Sequence, residues 1–224
     1  MTLFDQFSIS YLLGTPLIIP ALLTPILLLM STKRLMPNRI HSLIIWSVKT
    51  AAKQILTPLN HMGQTWTKLL MTLLILLIMM NTMGLFPYTF TPTTQLSMNI
   101  SLALPLWLAT VLKGLKLHPN MAMAHLVPEG APALLIPALI TIETISLFIR
   151  PVALAVRLTA NLTAGHLLIH LISTATAVLV QTLPALSIFT LTLLFLLTAL
   201  EIAVAMIQAY VFTLLLSLYL EENT

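Results

Sequence analysis

A helix that crosses a lipid hydrocarbon core of ~30 Å needs about 20 predominantly apolar residues, and five runs in this chain meet that pattern. The first, residues 11–30, contains Pro16, Pro20 and Pro25, which lipid-embedded helices tolerate better than soluble ones, and ends at Ser31-Thr32-Lys33-Arg34. A cleavable signal peptide fits this run poorly: Asp5 stands where a basic segment belongs, and no small-residue cleavage site follows. Over residues 39–68 the pattern changes. Ile40, Leu43, Ile44, Val48, Ala51, Ala52 and Ile55 recur at helical spacing, with Arg39, His41, Ser42, Lys49, Lys53 and Gln54 between them, which predicts an amphipathic helix lying on the membrane surface. Runs 69–86 and 96–117 flank a polar, Pro-rich turn at 87–95 and predict a helical hairpin.

The last two runs, 133–180 and 184–220, are too long to cross upright. At 1.5 Å per residue they extend ~70 Å and ~55 Å, so they must tilt steeply or bend. Pro151 and Gly165 are the candidate bend points, and a re-entrant turn near Arg150-Pro151 is the alternative to a continuous helix. The predicted fold class is therefore all-α: a single polytopic transmembrane domain with five crossings and one surface helix.

Composition excludes a soluble alternative. Of 224 residues 58% are hydrophobic and 7% charged, whereas soluble domains carry ~25% charged residues. The absence of cysteine removes disulfide scaffolds, thiolate metal sites and thiol catalysis. A net charge of +4 would admit nucleic acid, but no basic run with interleaved aromatics exists, so no nucleic-acid partner is expected. The basic residues instead set an orientation. Lys33, Arg34, Arg39, Lys49, Lys53, Lys68, Lys113 and Lys116 all fall on one side if the spans alternate, which places the N-terminus outside and the C-terminus inside.

The remaining bases, Arg150 and Arg157, lie within the fourth run, and Glu143 and Glu201 join them inside the last two helices. A charge at mid-membrane costs ~2.5–3.5 kcal/mol, so four unpaired ones would cost on the order of 10 kcal/mol. Internal pairing or snorkelling is the bland explanation, and it suits Glu143 and Arg150 better than Arg157, which is midway along its run. Arg150 reads as a structural partner for lipid or for Glu143, although two helical turns, ~10 Å along the axis, argue against a tight pair within the helix. Glu143, Arg150 and Arg157 are spaced by seven and share a face, Asn161 follows Arg157 at i+4, and His166 points nearly opposite. Glu201 and Gln208 repeat the spacing on the last helix. Protonatable groups are thus spread by depth around a central arginine that stays charged and cannot relay a proton. His166 and His170, without a cysteine or a neighbouring carboxylate in sequence, are an incomplete ligand set, so neither a metal nor a cofactor is expected.

These residues carry a resemblance to a family. Ile142-Glu143-Thr144-Ile145-Ser146-Leu147-Phe148-Ile149-Arg150-Pro151, then Arg157-Leu158-Thr159-Ala160-Asn161-Leu162-Thr163-Ala164-Gly165-His166, closely resembles the a-subunit family of F-type ATP synthases. Glu201 through Phe212 looks like that family's last helix, and Thr91 through Asn99 is similar to the hairpin of its animal mitochondrial members. The resemblance covers essentially the whole chain. It implies that Arg157 is the essential arginine facing a rotating ring of c-subunits, that Asn161 and Gln208 are polar positions nearby, and that His166 and Glu201 stand exchanged relative to bacterial members, as in mitochondrial relatives. It further implies two offset half-channels, one near His166 and Glu201 and one near Glu143, with the long tilted helices packed against the ring. Implied partners are the c-ring, the peripheral stalk and other membrane subunits, lipid, water and protons. The implied location is the mitochondrial inner membrane, N-terminus in the intermembrane space and C-terminus in the matrix. No Gly-rich phosphate loop with Lys-Ser/Thr is present, so the chain is not expected to be an enzyme with its own nucleotide site. A secondary transporter would favour an internal repeat, which is not found, and a purely structural subunit would not need four central ionisable groups.

Overall fold

The computed structural model of the chain describes residues 7–9, 11–12, 14–29, 39–56, 63–86, 89–117, 119 and 135–222. Two short strands, β1 (Tyr11–Leu12) and β2 (Thr15–Pro16), precede helices α1 (Ile18–Leu29), α2 (Arg39–Leu56), α3 (Thr67–Gly84), α4 (Leu96–Leu117), α5 (Ile136–Thr182) and α6 (Pro184–Glu222). Helices α3 to α6 are each long and apolar enough to cross a membrane. The protein is an all-helical polytopic membrane protein.

Where the first crossing is expected to begin, the chain instead forms a hairpin. Tyr11 pairs with Pro16 and Leu12 with Thr15, and Gly14, just before Thr15, has φ 80°, a conformation that glycine adopts without a Cβ clash. Helix α1 therefore starts at Ile18 and has 12 residues, or ~18 Å of rise. Helix α2 begins at Arg39, as expected, and ends at Leu56. Of the rest of the expected surface segment, 57–62 lies outside the described residues and Gly63–Trp66 is a 3₁₀ turn leading into α3. Helix α5 runs unbroken for 47 residues. There is no re-entrant turn at Pro151, which lies inside the helix and removes only the backbone donor to the Leu147 carbonyl.

The described residues form two compact units: one from Met1–Ser31, Leu76–Leu96 and Arg157–Tyr210, the other from Thr32–Ile75, Ser97–Val156 and Val211–Thr224. In the first, Leu77, Met80 and Asn81 of α3, Leu158, Thr159 and Leu162 of α5, and Ala205, Gln208 and Ala209 of α6 are buried. In the second, Ala103, Trp107 and Thr110 of α4, Leu154 and Ala155 of α5, and Phe212, Thr213, Leu216, Ser217 and Leu220 of α6 are buried, and the Trp107 and Phe148 rings lie 6.0 Å apart. Small residues, among them Ala155, Thr159, Ala205, Ala209 and Ser217, are interspersed with leucines in these stripes, because lipid offers no hydrophobic drive between helices and close backbone approach supplies the attraction. Hydroxyls inside the apolar helices donate to carbonyls of the preceding turn, Thr163 to Thr159 at 2.8 Å and Ser217 to Leu214 at 2.7 Å, so they enter the membrane satisfied.

Candidate functional site

Four of the expected site residues pair off between α5 and α6 in the first unit. His166 Nδ1 lies 3.7 Å from Glu201 Oε1, with 20% and 7% of the two side chains exposed. One face of α5 thus presents an imidazole to a carboxylate on the neighbouring helix. His166 Nε2 and Glu201 Oε1 are both buried and make no hydrogen bond. Because buried polar atoms in native proteins are nearly always satisfied, this pair has capacity for a further hydrogen-bonding group, such as water. Five residues before His166, the Asn161 amide donates to Gln208 Oε1 at 3.1 Å, which satisfies a glutamine that is 7% exposed.

Arg157 takes the opposite course. It lies on the exposed stripe of α5 with Val156, Ala160, Asn161, Ala164 and Leu168, spaced as one helical face. Among the described residues no carboxylate is within ion-pairing distance of its guanidinium. Nine residues at 100° each place His166 on the other side of the helix, as the spacing predicts. The result is an exposed cation, without an ion-pair partner among the described residues, on a face that includes Ala160 and Ala164, with a buried imidazole–carboxylate pair on the other side of the helix.

Glu143 belongs to the second unit, where it meets Arg150. The two form a loose ion pair and not a tight one: Arg150 Nη2 lies 3.9 Å from Glu143 Oε1, beyond hydrogen-bonding range. Side chains seven apart share a face, and helical side chains lean toward the N-terminus, so the long arginine reaches back over the ~10 Å of rise. Arg150 also makes a 2.6 Å ion pair with Glu222 in the last turn of α6. That contact is invisible in sequence, because it joins residues on different helices.

Two further residues belong to the site. Gly165, a candidate bend point in the sequence, makes room for the carboxylate: a Cβ built there would lie 2.6 Å from Glu201 Oε1 and 3.1 Å from its Cδ. A glycine immediately before the polar His166 was the available signal. Asn81 of α3, 1% exposed, donates from Nδ2 to the Ala205 carbonyl at 3.2 Å, one turn beyond Glu201, while its Oδ1 has no partner. Its signal was a carboxamide inside an otherwise apolar run. His170 is exposed one turn past His166, and among the described residues no three of His, Cys, Asp or Glu converge as a metal site would require.

The family described as ATP synthase A chain matches residues 13–221. A protein of Struthio camelus named ATP synthase F(0) complex subunit a is 59% identical over 224 residues, covering 100% of this chain and 99% of the relative. Proteins of the same name from Coturnix japonica and Alligator mississippiensis are 61% and 60% identical, each covering 100% of this chain and 99% and 100% of the relative. With alignments that run from end to end at about three residues in five, the chain belongs to the family of ATP synthase A chains.

Proposed function

We propose that this chain is the proton-conducting membrane subunit of an F-type ATP synthase, and that it couples proton flow to rotation of a ring of c-subunits through two offset half-channels separated by Arg157. The observation that carries the reading is the Arg157 guanidinium, without an ion-pair partner among the described residues, on an exposed face midway along a membrane helix. A charge so placed costs ~2.5–3.5 kcal/mol unless another molecule supplies its counter-ion. A carboxylate carried past that face on a partner's helices provides one.

The chemistry follows from the pairs. A proton arriving from outside passes through the region of His166 and Glu201, where two buried atoms lack a hydrogen-bonding partner among the described residues, and neutralises the ring carboxylate. A neutral carboxyl can enter lipid, where its anion cannot. After rotation the carboxyl loses its proton near Glu143 toward the inner side, and Arg157 receives the anion. Because a guanidinium does not give up its proton in proteins, an arginine cannot relay one, and the only route from one half-channel to the other is by way of the ring. Asn161 and Gln208 hold each other in place beside this path. Nucleotide chemistry belongs to partner subunits. The location that fits is the mitochondrial inner membrane, N-terminus in the intermembrane space and C-terminus in the matrix, with the peripheral stalk and other membrane subunits as neighbours.

The natural chain has no cysteine, so Ala164→Cys gives a single thiol on the Arg157 face of α5. In the assembled complex it is expected to form a disulfide with a cysteine on the outer helix of a c-subunit and to stop pumping until reduced. Leu158→Cys, on the buried face, is expected to form none. Cross-linking from Leu158→Cys but not from Ala164→Cys would contradict the assignment of the ring-facing surface.

A further inference from the structure

The second unit holds a charge cluster that the path through Glu143 leaves partly unexplained. Arg150 Nη1 lies 2.6 Å from Glu222 Oε2, its Nη2 lies 3.9 Å from Glu143 Oε1, and its guanidinium carbon is 5.2 Å from the centre of the Tyr219 ring. Tyr219 and Glu222, three residues apart on α6, present one face to the arginine. An acid in the last turn of a helix faces the negative end of the macrodipole, so Glu222 does not help its own helix, and Arg150 offsets that cost. One guanidinium therefore serves two carboxylates unequally. The contact to Glu222 is a charge-assisted hydrogen bond, whereas 3.9 Å to Glu143 is beyond hydrogen-bonding range.

We infer that Glu222 is a positioning residue for Glu143: by holding Arg150 at the end of α6 it keeps the guanidinium off the Glu143 carboxylate, whose oxygens stay open to a proton. The inference rests on the reading of Glu143 as a proton-exchanging group. If Glu222 loses its charge, Glu143 is the carboxylate nearest Arg150, and closing from 3.9 Å to a direct contact of ~2.8 Å takes about 1 Å of side-chain movement. The N–H donors of Arg150 then occupy the oxygens that the proton must reach. Glu221, one residue away and ~100° around the helix, does not share the face of Glu222 and cannot replace it without rotation of α6.

The test compares four variants in the whole reconstituted complex, each scored for assembly and for proton conduction per assembled complex. Glu222→Gln is expected to slow conduction about tenfold, the effect of one charge-assisted hydrogen bond. Arg150→Gln, which loses partly exposed ion pairs, is expected to stay within about twofold of the natural chain. The double variant Arg150→Gln/Glu222→Gln is expected to recover to the Arg150→Gln rate, because the competing cation is gone. If Arg150 and Glu222 form only a structural latch, both single variants slow equally and the double variant does not recover, which overturns the inference. Failure of Glu222→Gln to assemble also makes the pair a latch and overturns it. Glu143→Gln separates the two levels. Normal conduction in that variant removes the role of Glu143 and this inference with it, whereas slow conduction there with normal conduction in Glu222→Gln overturns the role of Glu222 alone.

Discussion

Replacing Gly165 by alanine puts a methyl group where the Glu201 carboxylate now lies. The built Cβ is 2.6 Å from Oε1, and ordinary contact begins at 3.4 Å, so the carboxylate must move by 3.4 − 2.6 = 0.8 Å. The rest of the side chain resists sliding along the helix, since Cδ and Cγ already stand at 3.1 and 3.4 Å from the same point. Glu201 faces His166 at 3.7 Å, a spacing suited to one bridging group, and a misplacement near 1 Å at a reacting centre can cost about a hundredfold in rate. Allowing for relaxation of a flexible side chain, we expect proton conduction to fall about tenfold. Helix propensity acts in the opposite sense, because alanine favours the helix by about 1 kcal/mol over glycine. The variant should therefore assemble at least as well as the natural chain while conducting less. The assay is passive proton conduction by the membrane sector, measured with a pH-sensitive dye in vesicles under an imposed potential, with assembly scored on native gels. Glu201→Asp, one methylene shorter, should restore part of the lost rate when combined with Gly165→Ala. Full conduction in Gly165→Ala, or a loss that tracks assembly, would refute this account of the glycine.

Other outcomes follow from the same geometry. Glu201→Gln removes a titratable group that is 6% exposed, whereas Glu143→Asp keeps one, so ATP-driven pumping should fall more in the first; equal, natural rates in both would remove the half-channel assignment. Asn161→Leu deprives the buried Gln208 oxygen of its donor, which should cost about 1–3 kcal/mol and appear as lower resistance of the assembled complex to denaturing detergent. Ala205→Leu forces a large side chain into a position with 0% exposure beside Asn81, and the overpacking should cost about 1–3 kcal/mol in the same measurement.

Elements that depend on the chain's own periodicity are legible in the sequence. The apolar runs mark α3 to α6 to within a few residues, and Leu96–Leu117 coincides with its run. The opening of the first run is not legible there, because hydropathy cannot distinguish an apolar helix from an apolar hairpin, and the decisive feature is a single glycine at positive φ. At the site, helical phase separates Arg157 from His166 on opposite sides of α5, but it does not show which residues on α6 they meet. The His166–Glu201 and Asn161–Gln208 pairs depend on the register of two helices, and register is set by packing of small residues rather than by either sequence pattern alone. Distance along one axis rules out a tight Glu143–Arg150 pair but does not show how far the long side chains close the gap, which ends at 3.9 Å. The role of Gly165 beside Glu201 is not legible either, because its lack of a side chain matters to a residue on a neighbouring helix.

In the proposed mechanism Arg157 is the fixed charge through which rotation and proton flow are coupled, and Arg157→Ala removes that charge alone. The side chain is exposed and, among the described residues, unpaired, so its removal leaves no buried carboxylate stranded and the complex should assemble with its ring. ATP-driven proton pumping by the assembled variant, followed with a pH-sensitive dye, is expected to be abolished. Pumping at the natural rate in that variant would contradict the account.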